Sequence, residues 1–148
     1  MLQNMKIESP SFRNNEPIPK KYACDGEDVN PPLVFMDVPA TAKSLVLIVD
    51  DPDAPRGTWV HWTLWNIDPA AQGNGENSVP ADAVEGATSR GTPGFVGACP
   101  PDREHRYFFK LYALDRRLAL PATAGKDELE QAMAGHILAT ATLMARYD

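Results

Sequence analysis

Two stretches of this chain concentrate the residue types that do chemistry: DDPDAPRGTWVHW over 50–62 and GTPGFVGACPPDREHRY over 91–107. They hold two of the three histidines, His61 and His105, with Asp51 and Asp53 in the first and Tyr107 in the second. A phosphate or carboxylate needs several converging donors, and imidazole N–H, phenol O–H and glycine-loop amides supply them. Three glycines and Pro100-Pro101 define a loop whose backbone N–H groups can face a ligand, and His105 and Tyr107 share one face of the strand expected after it. Asp51 suits a second task, holding one imidazole in the tautomer or protonated form that donates to the anion. The expected chemistry is binding of a small anion in a shallow pocket built around His61 and His105.

Other uses of the same residues fit less well. Asp51, Asp53, His61 and His105 make an admissible carboxylate and imidazole set for a metal, but a loop of exposed donors repels a cation, so no metal is expected. Acid–base catalysis would need a partner for His and Asp. The chain has no G-x-S-x-G elbow, no metal-binding helix motif and no P-loop, so no catalytic residue and no cofactor are assigned, and a hydrolase is the least favoured class. Asp53 is read as serving the turn. Arg106 points away from His105 and Tyr107 and is expected to pair with a DPD carboxylate, and His136 is read as structural.

The elements that position these residues are mostly strands. SLVLIVD over 44–50 is a continuous apolar run, as in a strand buried on both faces. WVHWTLWNI over 59–67 alternates bulky groups, placing Trp59, His61, Thr63, Trp65 and Ile67 on one face. RYFFKLYALD from Arg106 reads as a third strand, and ILATATLMARY near the carboxyl end could continue as helix or run as a strand equally well, with strand preferred. KDELEQAMA over 126–134, acidic in its first turn and ended by Gly135, is the one convincing helix. Residues 1–35 read as a loop-rich sheet edge, and 70–93 as a long surface loop. Fourteen prolines disfavour a helical bundle.

With 148 residues the chain fits one domain, 1–148. The net charge of −6, without any Lys/Arg cluster, argues against a nucleic-acid partner. The longest apolar run, LVLIV at 45–49, is strand-sized, so no membrane span is expected, and the amino-terminal segment MLQNMKIESPSF lacks the pattern of an export signal. Cys24 and Cys99 lie far apart without metal-type spacing; free thiols in a reducing, cytoplasmic setting are expected, pairing being the alternative.

Taken together, DPDAP followed shortly by HW, and GxxGxxGxxPP followed by HRYxFxxYALD, resemble the two signature regions of the phosphatidylethanolamine-binding proteins. YACDGEDVNPPL near the start and GHILATATLMARY at the end resemble the bacterial, Raf kinase inhibitor-like branch. The resemblance implies a mainly β fold, a β-sandwich with a large central antiparallel sheet, a smaller sheet and one or two short helices. It also implies an anion pocket of Asp51, His61, Gly97, Pro101, His105 and Tyr107, with Trp59 and Cys99 at its rim. The implied ligand is phosphate or a phosphorylated head group, in a regulatory role. The alternative implied by some relatives is an interaction protein that inhibits a protease or modulates a kinase, through a loop such as 70–93. A homodimer is implied by the bacterial relatives.

Overall fold

The computed structural model describes residues 4–148; the first three residues of the amino-terminal segment lie outside the described residues. The central strands follow from apolar patterning. Strand β4 (Ser44–Asp51) is buried along its whole length, with Leu45, Leu47 and Val49 facing one core and Val46 and Ile48 the other. It is flanked by β5 (Trp59–Ile67) and β8 (His105–Leu114), both antiparallel to it. Strand β9 (Ile137–Tyr147) pairs with β8, and two-residue strands β2 (Glu16–Pro17) and β7 (Val84–Glu85) close the edges, giving the order β2-β9-β8-β4-β5-β7. All pairings in this large sheet are antiparallel except β2 with β9.

A second sheet of β1 (Lys6–Glu8), β3 (Leu33–Met36) and β6 (Gly73–Asn74) stacks on the first. Ile7, Leu33 and Phe35 meet Leu45, Leu47, Trp62, Phe109 and Leu111 in a core between the sheets. The other face of the large sheet is covered by α1 (Lys126–Met133), whose Leu129 and Met133 pack with Val46, Ile48 and Trp65. The architecture is thus the expected β-sandwich, with one α-helix and one short 3-10 turn at Lys20–Tyr22 among the described residues. Glu128 accepts from the Gly125 amide at 2.9 Å to fix the helix start, and Gly135, at φ +81°, provides the left-handed exit. Lys126 and Lys110 both reach buried Asp50 at 3.1 Å, tying helix to sheet.

Three expectations need correction. The simple alternation along β5 does not hold. Val49 pairs with Trp62 and Asp50 with Val60, which leaves His61 as an extra residue; a second irregularity falls near Asn66, at φ +57°. A bulge shifts the side-chain phase by one, so Trp62, Leu64 and Ile67 enter the inter-sheet core while Trp65 joins the helix side. The stretch 70–93 contributes β6 and β7, and residues 1–35 contribute β1 and β3, because short pairings need no periodic signal. The cysteines are also paired.

Cys24 and Cys99 form a disulfide, with Cα atoms 5.4 Å apart. Sequence distance hid this because the two segments meet only in the fold, where Ala23 and Ala98 form a parallel bridge and the Cys24 amide donates to Ala98 O at 2.9 Å. The paired cysteines remove the free thiols from which a reducing compartment was expected. Among the described residues, no helix is long and apolar enough to cross a membrane.

Candidate functional site

The turn between β4 and β5 is built by Asp51-Pro52-Asp53-Ala54-Pro55. Asp51 accepts from the Asp53 amide at 2.8 Å, an Asx turn that holds the aspartate side chains in place. Asp53 in turn accepts from the Arg106 amide and Nε at 2.9 Å, and from Nη2 at 2.9 Å. That two-pronged bond holds the Asp53 carboxyl at about 2, well below its ordinary value. Asp53 and Arg106 therefore clasp the turn to β8, as their sequence context implied.

Beside this clasp lies a cavity of about 430 Å³. Asp51, His61, Gly97, Pro101, His105 and Tyr107 all line it, and Trp59 and Cys99 do too. The remaining wall comes from Ala54 to Thr58, with Arg56 among them, and from Val96. The bulge brings His61 here, against Trp59 at 4.8 Å and edge-on to Tyr107 at 5.3 Å between ring centroids. An unbroken period of two along β8 puts His105 and Tyr107 on the same side.

The hydrogen bonds assign each ring its state. His61 Nδ1 stands 2.7 Å from Val96 O, and a carbonyl only accepts, so Nδ1 carries the proton and donates. Burial holds the His61 pKa below its ordinary value, so the ring is neutral near pH 7 and Nε2 keeps a lone pair. His105 differs. Its Nδ1 is 2.6 Å from Asp51 Oδ2 and its Nε2 is 2.7 Å from Asp102 Oδ1. Burial alone would lower its pKa, but the two carboxylates outweigh burial and raise it, favouring an imidazolium that donates from both nitrogens. Burial, reinforced by Asp51, pushes the Tyr107 phenol far up against a weak opposing pull from the Cys99 backbone, and its buried hydroxyl makes no hydrogen bond of good geometry among the described residues.

The glycine loop has a role other than the one its composition suggested. The Gly97 amide donates to Asp28 Oδ1 at 2.7 Å and the Val96 amide to His61 O at 3.0 Å, so both are already used. A Cβ at Gly97 would stand 2.5 Å from Asp28 Oδ1 and 2.6 Å from Tyr22 O. Glycine is needed there for close approach of the 20–28 segment. Sequence reasoning missed Asp28, which carries no local signal, and Asp102, whose position three residues before His105 was the available clue.

Comparison with known proteins agrees with this fold. A family model described as phosphatidylethanolamine-binding protein matches residues 8–148. A UPF0098 protein of Methanothermobacter thermautotrophicus is 45% identical over 148 residues, covering 97% of this chain and 98% of that one. A UPF0098 protein of Chlamydia trachomatis is 46% identical over 149 residues, covering 97% and 99%. Among solved structures, a phosphatidylethanolamine-binding protein homolog from Chlamydia trachomatis superposes with a TM-score of 0.94 at 46% identity, covering 97% of each chain. YbcL of E. coli superposes with a TM-score of 0.91 at 28% identity, covering 97% of this chain and 98% of the other.

Proposed function

Because this chain belongs to the phosphatidylethanolamine-binding protein family, we propose that it is a regulatory binding protein whose pocket takes a phosphate group, free or on a small head group, without turning it over. The observation that carries this reading is the buried Tyr107 hydroxyl, unpartnered beside His61 and His105 in the cavity wall. A buried hydroxyl left unpaired costs free energy, about 1–3 kcal/mol, which a ligand oxygen relieves. Asp51 keeps His105 cationic in the cavity wall, and Arg56, an exposed lining residue, adds a second positive charge for a phosphate oxygen.

His61 gives the pocket a preference among anions. With Nδ1 committed to Val96, its neutral ring presents an acceptor, Nε2, which a fully deprotonated oxyanion repels. Hydrogen phosphate brings its own P–OH to donate there; sulfate at neutral pH has none. Calorimetric titrations near pH 7 are therefore expected to give saturable binding of inorganic phosphate and phosphoethanolamine but at least tenfold weaker binding of sulfate. Tyr107→Phe is expected to weaken phosphate binding about tenfold or more, the value of a hydrogen bond to a charged partner, about 1.5–3 kcal/mol. Equal affinity for phosphate and sulfate, or an unaffected Tyr107→Phe variant, would remove this reading.

A further inference from the structure

The cluster around His105 holds one carboxylate more than its charge needs. Asp51, inside, and Asp102, outside, both bond the ring, so two negative charges flank one positive charge while His61 nearby is neutral. An anion entering the pocket meets a net negative group, and the only remaining donor of His105, Nε2–H, is already given to Asp102. The two carboxylates differ in mobility. Asp51 is buried at the end of β4 and anchored by the Asp53 amide, whereas the Asp102 side chain is 46% exposed in the bend between Pro101 and β8. Asp102 does not line the cavity; it reaches His105 from beside Pro101, which does.

We propose that Asp102 is a displaceable internal ligand, a carboxylate that occupies the Nε2–H of His105 until a phosphate oxygen takes its place. This inference rests on the anion-binding reading above and adds a selecting residue to it. An oxyanion that takes the Nε2 proton also expels one negative charge, leaving Asp51 and His105 as a neutral pair around the bound phosphate. A neutral or zwitterionic group without a full oxyanion cannot displace Asp102, so the site selects phosphate monoesters and inorganic phosphate and keeps itself closed to weakly charged ligands. The bonds to His105 hold the Asp102 carboxyl below its ordinary range, so Asp102 competes as a carboxylate throughout the neutral range. Arg103, whose amide donates to Asp102 Oδ1 at 2.9 Å, is its other close neighbour.

The test is a calorimetric titration of inorganic phosphate into the natural chain, Asp102→Asn and Asp102→Ser, with the His105 ring N–H resonances followed in parallel. Both variants are expected to bind phosphate about tenfold more tightly than the natural chain, and in the natural chain phosphate is expected to shift the Nε2–H resonance of His105. Saturable binding whose affinity is unchanged or weakened in both variants would overturn the inference: Asp102 would then be a positioning residue behind the ring, and the pocket reading would stand. Absence of binding in all three chains would overturn the inference together with the pocket reading.

Discussion

Reduction of the Cys24–Cys99 disulfide is expected to lower the unfolding free energy by about 4.5 kcal/mol, the chain-entropy value for a loop of 75 residues. That is a large part of the 5–15 kcal/mol typical of a whole domain. The bond closes a loop that includes β3, β4, β5 and the turn of the pocket, and it lies next to the Ala23–Ala98 bridge and the bond from Gly97 to Asp28. Without it, the unfolded chain gains freedom while the native contacts lose little, so the effect enters mostly through the unfolded state. Urea unfolding of the natural chain, oxidised and reduced, and of the Cys24→Ser, Cys99→Ser double variant measures it. The reduced chain and the double variant should agree; a loss below about 1 kcal/mol in both would mean that the cross-link does not constrain the chain as its span requires.

Asp51→Ala is expected to have the second largest effect, a loss of about 1.5–3 kcal/mol of stability, because it removes the buried inner partner of His105 while Asp102 still balances the imidazolium charge. Asp51→Asn should cost less, since the amide oxygen still accepts from His105 Nδ1. Both should bring the His105 pKa down, and with it the pH profile of stability. A histidine whose folded pKa is raised contributes stability in full below the unfolded value of about 6.5 and loses it as pH climbs through the folded value. His61 acts in the opposite sense. Its folded pKa is lowered, so stability is present above the unfolded value and falls as pH drops through the folded one. Removing Asp51 should therefore flatten the alkaline-side decline while leaving the acid-side decline of His61. Urea unfolding from pH 5 to pH 9, natural chain against the two variants, reads both sides. A loss under 1 kcal/mol with an unaltered alkaline side would show the Asp51–His105 pair to be idle.

What the sequence could reveal follows the regularity of each element. β4 and β8 were legible because nothing interrupts them: β4 is apolar from Leu45 to Val49, and β8 keeps its register with β4 over Ser44–Asp50. Hence the shared face of His105 and Tyr107, and the outward Arg106, could be read from spacing alone. The bounds of β5, Trp59–Ile67, were legible too, but its faces were not, because an extra residue at His61 changes the phase and no residue type there announces it. The bulge still delivers His61 to the pocket, so the site residues come together although the strand was assigned the wrong faces for Trp62, Leu64 and Trp65. Contacts across distant segments were the other blind spot. The disulfide, the bond from Asp28 to Gly97 and the second sheet of β1, β3 and β6 all depend on three-dimensional proximity that no local period encodes.

The central claim, that phosphate binds at His61 and His105, is tested most directly by histidine ring resonances recorded with increasing phosphate. His136 is the internal control, since it pairs with Asp115 at 3.0 Å away from the cavity. The account predicts that His61 and His105 shift together along one saturating curve while His136 stays still. It is contradicted if none of the three moves, or if all three drift in proportion to added salt.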